Sequence, residues 1–156
     1  MIVYRITNKE HAALDGIGGL YGPGRWHRKG NFVIYASEHA SLAAWEKIVH
    51  VASFENLSIN LLLVKIEIPD KIEIQTIPQH ILVKGWDSFP FSDETVNYGS
   101  SFLQKKEYLA LKVPSAIIPD EFNIILNPPH PDIQVCKIIS SNPFIFDKRI
   151  LKDNDL

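Results

Sequence analysis

The sequence predicts a single α+β domain with a mixed β-sheet and few helices. Most of the apolar runs are short, rich in β-branched and aromatic residues, and of strand length. Only two stretches have the spacing of a helix, and strands and helices do not alternate regularly along the chain. A length of 156 residues and a hydrophobic content of 46% fit one globular domain with its own core.

Two strands are predicted before residue 37. MIVYRI (residues 1–6) alternates β-branched and aromatic side chains, and NFVIYA (residues 31–36) is a continuous apolar run. Residues 15–30 lie between them and are rich in glycine, so this segment is predicted to form a loop.

One amphipathic helix is predicted directly after the second strand. Ser37 is a suitable cap for EHASLAAWEKIVHVASF (residues 38–54), and Glu38 suits the first turn of a helix. Apolar residues recur there at helical spacing, namely Leu42, Trp45, Val49 and Ala52.

The rest of the chain is predicted to consist mainly of strands. We expect strands at 60–69, 108–114, 122–126, 133–140 and 143–147. A short helix is expected at 99–107, and residues 70–98 are expected to be mostly loop. The proline-rich segment at 127–132 should be irregular, and residues 152–156 should form a polar tail.

Charge and cysteine content limit the classes of function. A formal net charge of −2 argues against a protein that binds nucleic acid by charge alone, but not against one that grips a small anion. Cys136 is the only cysteine, which excludes an internal disulfide, fits a reducing compartment and suits a core position. With no signal pattern and no apolar run of spanning length, we expect a soluble, cytoplasmic protein.

Two arginines are candidates for binding a phosphate-bearing ligand. Arg25 lies in GPGRWHRKG (residues 22–30), where glycines allow close approach and a guanidinium offers forked donors. The alternative is a surface arginine beside a turn. Arg5 interrupts an apolar strand, so its side chain either points to solvent or lines a cleft.

Glu46 borders the apolar stripe of the predicted helix, where a carboxylate either reaches water or faces a cleft. His39 and His50 share this helical face, but the H-E-x-x-H pattern of a zinc site is absent, so a metal is not favoured.

Tyr35 lies at the end of the second predicted strand, where its side chain is either a ligand contact or a core aromatic. Ser115 lacks the glycines of a nucleophile elbow, and the glycines at 16–24 do not form a dinucleotide fingerprint.

The order of these motifs along the chain resembles the RES-domain family, the toxins of bacterial toxin–antitoxin pairs. The matching motifs are GRW, a strand ending in YASE, the helix SLAAWEKIVH, the segment VPSAIIPDEFNIILNPPHPD and a final PFIFD. The likeness extends from Val3 to about Leu151 of a single domain. The Arg, Glu and Ser that name the family fall at Arg25, Glu46 and Ser115. HRKG follows GRW where the family often has N-x-x-G.

The resemblance implies an ADP-ribosyltransferase-like fold with a split sheet, and an enzyme that consumes NAD⁺ by hydrolysis, phosphorolysis or transfer of ADP-ribose. In that reaction Arg25 and Arg5 would hold the diphosphate, Glu46 would stabilise the developing positive charge, Tyr35 would stack on nicotinamide, and Ser115 would bind the ribose or the amide. It implies no metal and no cofactor beyond NAD⁺ as substrate. The implied partner is an Xre-type antitoxin with a helix-turn-helix, and the family often forms homodimers.

Two other functions are kept open. The basic loop at residues 22–30 could bind phosphates of a nucleic acid, in which case binding would weaken steeply with salt. The domain could also be a binding module that has kept the fold and lost turnover. The resemblance is weakest at residues 53–98, and no short motif indicates the acceptor of the ADP-ribose.

Overall fold

A single β-sheet and two α-helices account for most of the regular structure in residues 1–51, 60–147 and 149–150, the part of the chain that the computed structural model describes. The strands are β1 Ile2–Asn8, β2 Ile34–Ser37, β3 Leu61–Glu67, β4 Ile74–Thr76, β5 Ala110–Pro114, β6 Phe122–Leu126 and β7 Lys137–Pro143. The helices are α1 Ala40–Val49 and α2 Asp93–Lys105, and short 3₁₀ turns lie at Lys9–His11, Ile17–Leu20, Gln79–Ile81 and Pro131–Val135. Neither described α-helix has the length and hydropathy of a membrane span.

The sheet is mixed, as the sequence predicts. Its strand order is β4-β5-β6-β2-β1-β3-β7. The pair β4–β5 is parallel, and every other neighbouring pair of these seven strands is antiparallel. The predicted α+β class with a single domain and few helices is confirmed.

The sheet is split at its centre. Strands β1 and β2 share one register pair, Tyr4 with Ser37, whereas β1 pairs with β3 along its whole length. The ladder between β1 and β2 therefore stops before Arg5, and beyond that point no described strand pairs with β1 on this side. This gap in the pairing is where the cavity described below opens.

Alternation along the strands divides the core between the two faces of the sheet. In β6, Ile124 and Leu126 pack in one buried cluster, and Ile125 packs in another with Trp26 and Phe102. Side chains of successive strand residues point to opposite faces, so one strand supplies both clusters. Cys136 is buried in the first cluster, as predicted.

The prediction that Ser37 caps the first helix is wrong. Ser37 is the last residue of β2, and α1 begins at Ala40 after His39, whose side chain makes no capping hydrogen bond. Ser37 is paired with Tyr4 on one side and Asn123 on the other, so its backbone remains extended. Pairing across strands has overridden a local capping preference.

The prediction of mostly loop at residues 70–98 is also wrong in part. It contains β4 and the first turns of α2, which begins at Asp93 and is capped by Ser92, whose Oγ accepts a hydrogen bond from the Thr95 amide at 3.3 Å. Few apolar residues mark these turns, which explains the missed helix start. Two further segments differ from prediction: residues 131–135 form a 3₁₀ turn, and residues 144–147 have no regular structure.

The predicted helical residues 52–54, including Ala52, lie outside the described part of the chain. The predicted polar tail at 152–156 lies outside it as well.

Helix α2 holds the glycine-rich loop that carries Arg25. Gly99 of α2 lies directly against the backbone of Trp26, so that a Cβ at residue 99 would overlap the Trp26 carbonyl oxygen. The next residue, Ser100, accepts a hydrogen bond at its Oγ from the Arg28 amide at 2.9 Å. Trp26 itself is buried beside Trp86. The loop therefore has a defined backbone position.

We expect Gly99→Ala to destabilise the protein. Glycine-to-alanine changes inside a helix usually stabilise by about 1 kcal/mol. At this position the added methyl group must displace the Trp26 backbone, and overpacking of this kind costs about 1–3 kcal/mol. Thermal unfolding should show a midpoint several degrees lower. Gly22→Ala is the matched control, because no atom lies within 4 Å of a Cβ built there. Equal unfolding midpoints for the two variants would contradict this packing.

Candidate active site

A cavity of about 590 Å³ lies where β1 and β2 separate, within the size range of small-molecule sites. Its wall combines β1, α1, the glycine-rich loop, the segment after Trp86, and the facing ends of β5 and β6. Four of the five residues predicted for the site line it, namely Arg5, Arg25, Tyr35 and Glu46. The fifth, Ser115, lies behind the wall between Pro114 and Ala116, which do line it.

The Glu46 carboxylate is held at one oxygen by two donors. Its Oε1 accepts hydrogen bonds from the Ser115 hydroxyl at 3.1 Å and from the Asn123 side-chain amide at 2.5 Å. Both bonds formed by these described residues end on Oε1, which leaves Oε2 as the oxygen available to a ligand. Glu46 therefore faces a cleft, one of the two environments that its border position on α1 indicated.

Ser115 is placed to orient Glu46. Its side chain is buried, and its Oγ accepts hydrogen bonds from the amides of Ile117 and Ile118 at 3.0 and 3.1 Å. The hydroxyl proton is directed to Glu46. Because both acceptor positions are occupied by backbone amides, this geometry favours an orienting role over direct contact with a ligand.

Asn123 and Ser37 belong to the site although neither was identified as a site residue from the sequence. The two residues are register partners in β2 and β6, and Ser37 Oγ donates to Asn123 Oδ1 at 2.7 Å. This bond directs the amide nitrogen of Asn123 to Glu46. The available signal was a polar residue inside the apolar run FNIIL, which periodicity alone does not assign to a site.

Arg25 is not a solvated surface arginine. Its Nη1 donates to the carbonyl oxygens of Trp86 and Ser88 at 2.6 and 3.0 Å, and its guanidinium lies 5.1 Å from the centre of the Phe91 ring. Burial lowers the pKa of Arg25, and the negative charges of Glu46 and Asp87 oppose that shift.

Tyr35 uses its hydroxyl to organise the glycine-rich loop. His27 Nε2 lies 3.0 Å from the Gly22 carbonyl oxygen, which accepts only, so Nε2 carries the proton. His27 Nδ1 therefore accepts from the Tyr35 hydroxyl at 2.8 Å, and that hydroxyl accepts from the Trp26 amide at 3.2 Å. Burial raises the pKa of Tyr35 and lowers that of His27, which keeps both side chains neutral.

Arg5 lines the cleft instead of pointing to solvent. Its Nη1 is shielded from water and has no hydrogen-bond partner among the described residues. Burial lowers the pKa of Arg5 to about 10, against the effect of the Asp15 carboxylate. Lys47 lines the same cavity, and burial followed by the charge of Arg5 lowers the pKa of Lys47.

The residues considered for a metal site do not form one in the described part of the chain. Within it, no three His, Cys, Asp or Glu side chains are close enough together to hold an ion. Glu46 and His50 line the cavity, but His39 is not among its lining residues.

Comparison with known proteins gives one consistent result. A model of the RES domain matches residues 2–147. The chain is 35% identical over 143 residues to a Prs ADP-ribosylating toxin of Sphingobium sp. (strain YBL2), covering 89% of this chain and 87% of that toxin. It is 38% identical over 139 residues to Toxin Res of Pseudomonas putida, covering 88% and 92%.

A solved structure shares the fold. The structure is the M. tuberculosis MbcT–MbcA toxin–antitoxin complex, and the match has a TM-score of 0.68 at 18% identity, covering 92% of this chain and 83% of the other. The domain model spans nearly all of the sequence, and two relatives exceed 30% identity over most of their own length. This chain therefore belongs to the RES-domain family, the family of these toxins.

Proposed function

We propose that this chain is the toxin of a toxin–antitoxin pair, and that it consumes NAD⁺ by breaking the bond between nicotinamide and ribose. The observation that carries the proposal is a carboxylate on the cavity wall, Glu46, with one oxygen held by two donors and the other available. The name of a relative, an ADP-ribosylating toxin, supports the substrate, because ADP-ribosylation draws on NAD⁺.

The proposed chemistry needs a fixed negative charge at the ribose. As the C–N bond breaks, nicotinamide departs as a neutral molecule and the ribose carbon acquires oxocarbenium character, as in glycoside cleavage. Glu46 Oε2 would face that carbon or accept a hydrogen bond from a ribose hydroxyl. A fixed carboxylate in a partly desolvated cavity stabilises such a charge without reorganising during the reaction.

Ser115, Asn123 and Ser37 are proposed to keep this carboxylate in one position. Two donors on Oε1 restrict rotation of the carboxylate, and Ser37 keeps the Asn123 amide from turning over. Small displacements of a reacting group cost large factors in rate, so this support contributes to catalysis without touching substrate.

Tyr35 is proposed to contact nicotinamide with its ring. The hydroxyl is already used by His27 and Trp26, so the ring face is the part that remains for a ligand. Arg5 and Arg25 supply the positive charges on the wall that phosphates require. The acceptor of the ADP-ribose is water, phosphate or a protein side chain, and chromatography of the reaction products distinguishes the three.

The proposed partner is an Xre-type antitoxin with a helix-turn-helix that covers the mouth of the cavity. The shared fold with a chain solved in a toxin–antitoxin complex supports an antitoxin partner. At the mouth, Phe89 lines the cavity and is 83% exposed, which suits an apolar contact with another protein. Homodimer formation stays a prediction.

The nucleic-acid alternative has less support. Among the basic residues of the loop at residues 22–30, His27 is buried and neutral, and Arg25 faces the cavity. Only Arg28 and Lys29 are exposed, which is too few for a phosphate track. The alternative of a non-catalytic binding module is separated from the proposal by turnover alone.

We expect Glu46→Gln to bind NAD⁺ nearly as well as wild type and to lose turnover by about 10²-fold or more, because the lost charge matters mainly in the transition state. NAD⁺ affinity and NAD⁺ consumption are measured on the same preparation, with the unfolding midpoint as a check on folding. Glu73→Gln, at an exposed position, is the control. Wild-type consumption by Glu46→Gln would overturn the mechanism.

Asn123→Asp tests the support of the carboxylate with little change in shape. Two carboxylates at hydrogen-bond distance hold one proton between them, so the acid limb of the pH–rate profile should move upward by at least about one pH unit. Asn142→Asp, exposed on β7, should leave the profile unchanged. A lower rate with an unshifted profile would mean that Asn123 serves only folding.

Tyr35→Phe should separate the two uses of this side chain. Removing the hydroxyl leaves His27 Nδ1 and the Trp26 amide without their partner, at a cost of about 1–3 kcal/mol in unfolding free energy. The ring is kept, so turnover of the folded protein should remain close to wild type, whereas Tyr35→Ala should lose it. Denaturant unfolding and NAD⁺ consumption check both parts, with Tyr21→Phe as the exposed control. Equal losses of turnover in Tyr35→Phe and Tyr35→Ala would show that the hydroxyl takes part in the reaction.

A further inference from the structure

Phe89 is an exposed aromatic side chain on the wall of the cavity. It is 83% exposed, whereas the other Phe, Tyr and Trp rings among the described lining residues are buried or half-buried, namely Tyr4, Trp26, Tyr35 and Phe91. A lining ring with this exposure lies at the mouth of the cavity. A ligand that covers the ring would remove from water an apolar surface that folding leaves exposed.

Contacts with Arg25 and Phe91 fix the position of this ring. Arg25 Nη1 donates to the carbonyl oxygens of Trp86 and Ser88, so the backbone directly before Phe89 is held against the glycine-rich loop. The Arg25 guanidinium lies 5.1 Å from the centre of the Phe91 ring, and the Phe91 and Phe89 rings meet edge to face with their centres 5.4 Å apart. Because the exposed ring is already held in place, a ligand that stacks on it orders little additional structure.

Glu46, in contrast, is supported from the buried side of the cavity. Ser115 bonds to its carboxylate directly and Ser37 supports it through Asn123, and the two serines are only 6% and 3% exposed. The bond that breaks in the proposed reaction lies beside this carboxylate. A dinucleotide is an elongated ligand with one base at each end, so a nicotinamide placed beside Glu46 leaves the adenine to extend toward the mouth, where Phe89 lies.

We propose that Phe89, backed by Phe91, is the stacking surface for the adenine ring of the dinucleotide, and that it selects a dinucleotide over a mononucleotide. This inference rests on the function proposed above and assigns the far end of the same substrate. A purine presents a large flat π-face, and an aromatic side chain binds such a face without a hydrogen bond from the base. The adenine and the antitoxin contact proposed for Phe89 would then exclude each other.

The test compares two ligands by calorimetry at fixed salt: ADP-ribose, which contains adenine, and nicotinamide mononucleotide, which does not. Phe89→Ala should weaken ADP-ribose binding about tenfold, the effect of one lost stack between a base and an aromatic ring, and leave the affinity for nicotinamide mononucleotide unchanged. Phe89→Trp should retain the affinity for ADP-ribose, because its ring also stacks. Ile145→Ala is the matched control, since Ile145 is also 83% exposed and does not line the cavity, and it should match wild type.

The outcomes separate this inference from the proposed function. If wild type binds no ADP-ribose, or binds it no better than Phe89→Ala does, the stacking surface is overturned even where NAD⁺ is consumed normally. Equal weakening of both ligands in Phe89→Ala, or a loss in Phe89→Trp as large as that in Phe89→Ala, would also overturn it, because neither depends on the adenine ring. A wild-type protein that binds ADP-ribose through Phe89 but consumes no NAD⁺ would support the stacking surface and refute the proposed activity.

Discussion

The site depends on the position of one carboxylate oxygen, Glu46 Oε1. Two donors about seventy residues away from Glu46 of α1 determine it: Ser115 in the turn after β5, and Asn123 of β6. Asn123 is itself oriented by Ser37 of β2. Each donor is either buried or tied to a strand, so the carboxylate is positioned by the same pairings that build the sheet. A charge held in this way is prepared for a reaction that develops positive charge beside it.

The glycine-rich loop is the second structural requirement. On the sheet side, the hydroxyl of Tyr35 is hydrogen-bonded to this loop. On the other side, α2 packs against the loop backbone at Gly99, and Ser100 accepts a hydrogen bond from it. Arg25 is in turn held by the carbonyl oxygens of Trp86 and Ser88. Its guanidinium also lies over the rings of Trp86 and Phe91. Arg25 therefore stays at a fixed place on the wall of the cavity that Glu46 also lines.

Much of the fold could be predicted from local pattern. Strands such as β6 and β3 were predicted within one or two residues at each end, because their apolar runs are long and bounded by turn residues. The errors have two causes. Ser37 was misassigned because strand pairing overrode its local capping preference. The start of α2 at Asp93 was missed because the first turns of this helix contain few apolar residues. The candidate site residues Arg5, Arg25, Tyr35, Glu46 and Ser115 were named from the sequence, and the roles expected of them came from the family resemblance and stay predictions.

The sequence by itself determined the fold class, the family, and which residue types could carry the chemistry, because these follow from periodicity and from short motifs. Only the tertiary structure decided that Ser115 lies behind Glu46, that Asn123 and Ser37 complete its support, and that Arg5 lines the same cavity as Glu46. These relations join residues tens of positions apart, and they depend on strand register and on the gap between β1 and β2. No local spacing encodes a contact of that kind.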